Sequence, residues 1–294
     1  MTKENQKTAK AISRRDFIGS VMFATAAAAL ISGCRREDWQ LGCFTRPWGR
    51  RGDYRIAFDG IAGAGFSYVG LMGPFITRET TPEQAVEVGS EAASRGLEIL
   101  SLYGGFDVRN SVAEGIAQLQ KLIDNSSIGG CSSILMGGTD DPELVDAYYK
   151  VIAECCDYAA EKGVALNLKP HGGTNATGPE CRRHIENVGH KNFRLWYDPG
   201  NIFYYSDMAL DPVDDAGTVD GIVAGMCVKD FLPPKIVDVT PGTGIVDFPK
   251  VMSLLRQGGF TSGPLLVECL TQGDLDFINS EAKRARLFLE ELTA

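Results

Sequence analysis

After residue 40 the chain alternates short apolar runs with longer segments of helical periodicity. Apolar runs of this kind fit strands that are buried on both faces, and their alternation with helices indicates βα units around a parallel sheet. Strands are predicted at residues 41–45, 68–71, 99–102, 133–136, 164–168, 194–197, 225–228 and 265–268. Eight such units predict a single closed (β/α)8 barrel. An open doubly wound sheet ranks behind it, because no glycine-rich dinucleotide loop follows the first strand.

Three of the predicted helices have recognisable boundaries. Thr81 precedes Pro82, as an N-cap hydroxyl precedes proline at the first helical position. A long helix is predicted from Asp141 to Lys162, where Gly163 ends it. The last helix, at residues 277–292, is predicted to have one apolar side, formed by Ile278, Ala282, Ala285, Leu287, Phe288 and Leu292.

The last four predicted strands each end in charged or chelating side chains. The endings read Lys169-Pro-His171, Asp198-Pro-Gly-Asn201, Cys227-Val-Lys229-Asp230 and Glu268-Cys269. Such groups are costly to bury without a partner, and the carboxyl ends of barrel strands converge on one face. The pattern therefore predicts one polar functional site at this face of the barrel.

Residues 1–33 have the features of a cleavable export signal. Arg14-Arg15 precedes a weakly apolar stretch and resembles the twin-arginine signal that the Tat export machinery reads. The stretch ends in Leu30-Ile-Ser-Gly-Cys34, which resembles a lipoprotein box with Cys34 as the lipidated residue. The alternative, a transmembrane anchor, would need about 20 apolar residues. We therefore expect a mature domain of residues 34–294, held by lipid alone on the periplasmic side of a bacterial membrane.

Length and charge fit a single exported domain. Residues 34–294 number about 261, close to the roughly 250 of one barrel. The whole chain has a net charge of −9, and the domain without its signal has about −12, which argues against nucleic acid and anionic lipid surfaces as partners. Seven cysteines remain besides Cys34, with no CxxC pair, so most are expected to be small buried residues.

Four sequence motifs point to a known family. They are His171-Gly-Gly, Asp198-Pro-Gly-Asn201, Lys229-Asp230, and Gly242-Thr-Gly244-Ile-Val-Asp247-Phe248 ahead of the last strand. As a series they make residues 40–292 resemble the xylose-isomerase-like TIM-barrel proteins, many of which are described as sugar phosphate isomerases or epimerases. The resemblance implies a TIM barrel whose partner is a small-molecule carbohydrate.

The resemblance also implies a divalent metal, with ligands Glu, Asp, His and Glu at the ends of strands five to eight. Asp198 and Glu268 match this pattern, whereas Lys169 replaces the first Glu and Cys227 replaces the His. Because an ammonium group has no lone pair for a metal, Lys169 would balance the two carboxylates in place of the ion. The alternative is a metal bound by Asp198, Glu268, Cys227 and His171, a ligand set that favours zinc, manganese or a similar ion over magnesium.

The implied reaction is proton abstraction next to a sugar carbonyl. Imidazole titrates near pH 6.5, so His171 is the first candidate base, Glu268 the second, and Lys169 the source of positive charge. The residues expected to contact substrate, with packing or structural ion pairing as the alternative for each, are Arg46, Trp48, Asp107, Asn201, Lys229 and Asp230. His184 and His190 are expected to be inert surface residues.

Three function classes follow from these patterns. An isomerase or epimerase acting on a sugar or keto-sugar is favoured, with a lyase as a variant of the same chemistry. The alternative is a non-catalytic sugar-binding lipoprotein with a degenerate metal site, which the identities of Lys169 and Cys227 favour. A nuclease on the same barrel would need a histidine-rich multi-metal site, and the chain has only three histidines. Whether the protein forms a homo-oligomer stays open.

Overall fold

A computed structural model describes residues 38–50 and 52–294 of the 294-residue chain. In these residues eight parallel strands close into one barrel in sequence order, which confirms the predicted (β/α)8 fold. The strands are β1 (Trp39–Phe44), β2 (Tyr68–Leu71), β3 (Glu98–Tyr103), β4 (Ser133–Met136), β5 (Ala165–Leu168), β6 (Phe193–Tyr197), β7 (Val223–Val228) and β8 (Gly263–Val267). The predicted signal at residues 1–33 and Cys34 lie outside the described residues.

Helices connect the strands and cover the outside of the barrel. In the described part of the chain they are α1 (Tyr54–Gly63), α2 (Pro82–Ala93), α3 (Val112–Ile128), α4 (Val145–Glu161), α5 (Gly178–Val188), α6 (Pro199–Tyr205), α7 (Pro212–Ala216), α8 (Phe248–Gln257) and α9 (Leu275–Leu292). Two short helices, α6 and α7, lie between β6 and β7. A short 3-10 helix, Arg46–Trp48, follows β1, and a second one, Pro142–Leu144, precedes α4, where one continuous helix was predicted to begin at Asp141.

Side-chain caps set where several helices begin, because the first backbone N–H groups of a helix have no partner within it. Thr81 Oγ1 accepts from the N–H of Gln84, and Gln84 Oε1 accepts from the N–H of Thr81, which is a capping box before α2. Asp198 and Asp247 cap α6 and α8 by accepting from the backbone N–H groups of Asn201 and Lys250. The cap of α6 fixes Asp198 directly at the carboxyl end of β6.

The barrel interior is filled by large side chains that pack against glycines. The interior cluster is Phe44, Met72, Leu100, Leu135, Trp196, Cys227 and Leu266. A Cβ atom at Gly225 would lie 2.5 Å from Cε2 of Trp196, and one at Gly70 would overlap Phe44. Both glycines therefore make room for an aromatic ring. The packed interior forms an apolar floor beneath the polar groups at the carboxyl ends of the strands.

Burial of single side chains confirms one expectation and corrects two. The seven described cysteines are free and buried, as expected. Leu287, expected on the buried side of α9, is 57% exposed. His184, expected at the surface, is buried and stacks on Tyr149 with the ring centroids 4.0 Å apart. Within residues 38–50 and 52–294, no helix is long and apolar enough to cross a membrane.

Candidate functional site

Five charged side chains meet where five strands end. They are Arg46, Lys169, Asp198, Lys229 and Glu268, which follow β1, β5, β6, β7 and β8. The carboxyl ends of barrel strands share one face, so residues that are distant in sequence become neighbours there. We call these five side chains the charge centre. It combines three cationic groups with two carboxylates.

Both lysines of the charge centre bridge both carboxylates. Nζ of Lys169 lies 2.8 Å from Asp198 Oδ2 and 2.5 Å from Glu268 Oε2. Nζ of Lys229 lies 2.6 Å from Glu268 Oε1 and 3.3 Å from Asp198 Oδ2. The most exposed of the four residues, Lys229, is only 4% exposed. Buried charges are tolerated when they are paired and hydrogen-bonded, and each of these charges has at least two partners.

The pairing fixes the ionisation of the centre. Burial alone would lower the pKa of Lys169, but Asp198 and Glu268 raise it well above 10.5. The pKa of Lys229 is also raised, because the same two carboxylates outweigh burial. Burial would raise the pKa of Glu268, yet the two lysines hold it well below 4.5. Both lysines and Glu268 are therefore ionised at neutral pH.

Arg46 connects the charge centre to the rim of the barrel. Its Nη1 donates to Glu268 Oε1 at 3.1 Å, and its Nη2 donates to Asp238 Oδ1 at 2.8 Å. The side chain of Asp238 is 49% exposed, whereas that of Glu268 is 2% exposed. Arg46 thus lies at the barrel mouth and adds a third cation around the buried carboxylate, and its contact with substrate stays a prediction.

The Asp198-Pro-Gly-Asn201 motif holds this geometry in place. Asp198 Oδ1 accepts from the N–H of Asn201 at 3.0 Å, which leaves Oδ2 for the lysines. The Asn201 side chain donates to the carbonyl of Pro170 at 2.6 Å and accepts from Lys229 Nζ at 3.0 Å. A Cβ atom at Gly200 would lie 2.8 Å from the carbonyl oxygen of Lys229. Asp198 is therefore the cap of α6, and the Asn201 side chain positions a lysine, whereas a substrate contact or a cap was predicted for Asn201.

Asp230 organises the loop that follows β7. It is fully buried, and its oxygens accept from the backbone N–H groups of Phe231, Gly242, Gly244 and Val246 at 2.8–3.1 Å. Gly242 has a φ of +84°, and a Cβ atom at Gly244 would overlap the Asp230 carboxylate. Gly242 and Gly244 thus allow the loop backbone to approach the Asp230 carboxylate closely. The geometry gives Asp230 a structural role in place of the predicted substrate contact.

His171 lies beside the charge centre, between Tyr103 and Tyr205. Its Nε2 is 3.3 Å from Tyr103 Oη, and its ring centroid is 5.4 Å from that of Tyr205. Burial, together with the nearby Lys169 and Lys229, lowers the pKa of His171 to about 4. The expected pKa near 6.5 is therefore wrong for this environment, because an imidazolium would be buried close to two ammonium groups. His171 is neutral at physiological pH.

Two of the predicted substrate contacts lie apart from the charge centre. Trp48 Nε1 donates to Asn279 Oδ1 at 2.9 Å, and its ring packs so closely that a Cβ atom at Gly60 would lie 2.5 Å from it. Trp48 therefore packs against helices α1 and α9. Asp107 pairs with Arg109 and lines a separate cleft, with 37% of its side chain exposed.

That cleft, about 860 Å³ in volume, opens next to His171 along the ends of β3 and β4. Tyr103 lies at the junction of the cleft and the charge centre, and it was not among the predicted site residues. The sequence feature that could have identified Tyr103 is the segment Tyr103-Gly-Gly-Phe106, which directly follows a predicted strand. A Cβ atom at Gly137 would lie 2.5 Å from Tyr103 Oη and 3.0 Å from His171 Nδ1. Gly137 therefore allows these two side chains to meet.

Three potential metal ligands are close together, but their surroundings do not fit a divalent cation. The group, with ligand atoms within 4.8 Å of one another, is Asp198, Cys227 and Glu268. The ammonium groups of Lys169 and Lys229 lie between the two carboxylates, where a cation would have to bind. Burial raises the pKa of Cys227 well above 9, so it is a thiol, whereas metals bind the thiolate. These residues fit a centre in which lysine ammonium groups, and not a metal ion, balance the charges of Asp198 and Glu268.

The barrel and the placement of the charge centre define a (β/α)8 protein with its polar site at the face that this fold uses for chemistry. A family model described as xylose isomerase-like TIM barrel matches residues 58–292. The chain belongs to this family, as its motifs predicted. No curated protein matches the chain.

Solved structures share the fold at low sequence identity. A xylose isomerase domain protein from Planctomyces limnophilus is 22% identical, with a TM-score of 0.68 over 87% of this chain and 97% of that one. A D-psicose 3-epimerase solved in the presence of D-fructose is 14% identical, with a TM-score of 0.73 over 86% of this chain and 99% of that one. A xylose isomerase-like TIM barrel protein from Mycobacterium smegmatis, in complex with magnesium, is 18% identical, with a TM-score of 0.69 over 87% and 98%. At these identities the likeness establishes the fold alone.

Proposed function

We propose that the protein is an isomerase or epimerase that acts on a sugar or keto-sugar without a divalent metal. The observation that carries this proposal is the pair of lysine ammonium groups that bridges Asp198 and Glu268. Family membership and the keto-sugar epimerase among the structures of the same fold support the substrate class. The position of the charge centre at the carboxyl ends of the strands supports a catalytic site.

Proton removal next to a carbonyl needs a cation at the oxygen and a base at the neighbouring carbon. A substrate oxygen that accepts from Lys169 or Lys229 would compete with Glu268 for that ammonium group. With one cation withdrawn, the proton affinity of Glu268 rises from its low ligand-free value. Glu268 then takes the carbon-bound proton, the C–H electron pair forms the enolate double bond, and the carbonyl electron pair moves to the oxygen beside the ammonium group. Return of the proton from Glu268 to the neighbouring carbon gives the isomer, whereas delivery of a solvent proton to the opposite face of the enolate, with Glu268 releasing its proton to solvent afterwards, gives the epimer.

His171 acts in this scheme as a neutral hydrogen-bonding group. With a pKa of about 4 it is a weak base in the ligand-free protein, so Glu268 replaces it as the first candidate base. A neutral imidazole donates through one nitrogen and accepts through the other, which suits the transfer of a proton between neighbouring sugar oxygens. Tyr103 Oη, 3.3 Å from Nε2, would hold the ring in position for this role.

Solvent deuterium exchange into a bound keto-sugar, followed by NMR in the presence of a chelator, tests the proposal. We expect exchange by the wild type, and a loss of at least about a hundredfold in Glu268→Gln and in His171→Ala. Leu287→Ala, a change at an exposed position of α9, is the control and should exchange normally. Circular dichroism of each variant shows whether the barrel is folded. If the wild type binds keto-sugars but exchanges no proton, the enzyme proposal fails.

A non-catalytic sugar-binding protein is the second candidate. It is favoured by the finding that the carboxylates of the charge centre are already paired with cations and that the pKa of His171 is only about 4. Both features lower the basicity of the groups that could remove a proton, which are the carboxylates and His171. Binding of keto-sugars without exchange would select this candidate.

We also propose that residues 1–33 are a twin-arginine signal and that Cys34 carries lipid, which would place residues 34–294 on the periplasmic side of a membrane. The Arg14-Arg15 pair and the Leu30-to-Cys34 sequence support this location. Conversion of both arginines to lysine should retain the precursor in the cytoplasm, and Cys34→Ala should abolish lipid labelling. Unchanged fractionation and labelling in both variants would contradict it.

A further inference from the structure

The cleft beside His171 is larger than the proposed reaction requires. Ligand clefts in proteins span about 300–1,000 Å³, and this one, at about 860 Å³, is near the upper end of that range. It runs from Tyr103 and His171 outward to Asp141 and Leu144. The lysines and carboxylates of the charge centre are not part of its lining. A single sugar ring held at the charge centre would therefore leave the cleft unfilled.

Stacked aromatic rings form part of the cleft wall. Phe106 stacks on Tyr148 with ring centroids 4.6 Å apart and an interplanar angle of 19°. Tyr148 is buried, whereas Phe106 is partly exposed and lines the cleft. An aromatic face of this kind offers apolar area to the C–H face of a sugar ring. Tyr148 also lines the cleft, and its stacking on Phe106 holds the two rings nearly parallel.

The polar groups of the cleft suit hydroxyl groups better than phosphate. Arg109 pairs with both oxygens of Asp107 and holds the pKa of that carboxyl at about 2, so Asp107 is an ionised acceptor. The charged residues of the lining are Arg78, Asp107, Arg109, Asp140 and Asp141. Both guanidinium groups of this lining already pair with carboxylates, Arg109 with Asp107 and Arg78 with Glu79, so a phosphate would have to displace a carboxylate to reach either of them. A neutral, hydroxyl-bearing ring faces no such cost.

We infer that the substrate is a keto-sugar joined to a second, neutral sugar unit, so that the protein takes a glycoside or disaccharide. The reacting ring lies at the charge centre, and the second ring lies in the cleft on Phe106, with its hydroxyl groups on Asp107. His171 and Tyr103 stand at the junction, because they belong to both regions. This inference rests on the proposed function and adds the substrate class to it.

Isothermal titration calorimetry with the purified full chain tests the inference. The probes are keto-hexoses, including D-fructose, and glucosyl-fructose disaccharides of different linkage. We expect at least one disaccharide to bind the wild type about tenfold or more tightly than any keto-hexose, which is about 1.4 kcal/mol. Phe106→Ala should remove this preference and leave the affinity for the keto-hexose unchanged. Phe106→Leu, which keeps apolar volume, should give an intermediate result, and Leu287→Ala should bind as the wild type does.

The outcomes separate this inference from the proposed function. Equal affinities for keto-hexoses and disaccharides, or a preference that survives Phe106→Ala, would overturn the inference and leave keto-sugar binding in place. Tighter binding of fructose 6-phosphate than of every disaccharide would likewise overturn it, because the second unit would then be an anion. A wild type that binds none of these sugars would overturn both proposals together.

Discussion

At the scale of single residues, two replacements act together. The family pattern expects a carboxylate at Lys169 and an imidazole at Cys227. Lys169 instead supplies the charge that a metal would bring, and Cys227 joins the packed cluster in the barrel interior. Lys229 completes the change, because it contacts the same two carboxylates. The result is a centre in which both carboxylates are paired with lysine ammonium groups.

A glycine at the junction of the cleft and the charge centre gives a residue-scale prediction. Gly137→Ala would place a methyl group 2.5 Å from Tyr103 Oη and 3.0 Å from His171 Nδ1, so these side chains must separate. We expect the His171 ring to become more exposed and its pKa to rise from about 4 toward 6.5, measured by NMR titration. The control is Gly105→Ala, where a Cβ atom meets nothing within 4 Å. An unchanged His171 pKa in Gly137→Ala would contradict the packing argument.

The sequence predicted that Lys169, Asp198 and Glu268 would meet, because the carboxyl ends of successive barrel strands share one face. It did not predict that Lys229 would bridge the same carboxylates, since the adjacent Asp230 was the obvious ion-pair partner. The sequence also could not predict the low pKa of His171, because that pKa depends on burial and on two ammonium groups, one from Lys169 after the same strand and one from Lys229 after β7. Strand-end patterns identify the residues of a site, whereas side-chain directions decide which of them pair.

At the scale of elements, the predicted strands lie within two residues of the observed ones, because buried runs of branched and apolar residues mark parallel strands clearly. The segment between β6 and β7 was harder to predict. It contains two short helices, α6 and α7, that start at Asp198 and Asp211 caps. Short helices carry little periodic signal, so their caps are the better evidence for them.

The loop around Asp230 gives an element-scale prediction. Gly244→Ala would force a methyl group into the Asp230 carboxylate and break its hydrogen bonds to the loop N–H groups. Loss of buried hydrogen bonds costs about 1–3 kcal/mol, and each kcal/mol lowers the melting temperature of a domain of this size by about 2–4 °C. Gly217→Ala, where the nearest atom would be 3.8 Å away, is the control. Equal melting temperatures for both variants would contradict the role of the loop.

At the scale of the whole molecule, buried ionisable groups make stability depend on pH in opposing directions. The pKa of His171 falls from 6.5 to about 4, so the unfolded chain binds more protons in that range and stability rises with pH there. Burial raises the pKa of Asp215 from 3.8 to about 6, which acts oppositely in nearly the same range. The pKa of Glu268 lies well below 4.5, so its stabilising contribution is present above about 4.5 and is lost as the pH falls further.

The pH dependences of stability that arise from His171 and Asp215 nearly cancel in the wild type. Variants at each position are therefore needed to detect them. The free energy of unfolding of the wild type minus that of His171→Asn should increase by up to about 3 kcal/mol between pH 4 and pH 7, at about 1.4 kcal/mol per pKa unit. The same difference for Asp215→Asn should decrease across this range. Urea unfolding at steps of pH measures both. A pH-independent difference for His171→Asn would contradict the buried, neutral imidazole.

Lysine ammonium groups lie where the resemblance to the family implies a divalent metal. The most direct test is the metal content of the purified full chain after incubation with magnesium, manganese or zinc and removal of free ion, measured by elemental mass spectrometry. We expect well under one equivalent in the wild type and a clear rise in Lys169→Glu, which restores a carboxylate beside Asp198 and Glu268. One full equivalent in the wild type, lost in Cys227→Ala, would contradict the account and establish a metal site in its place.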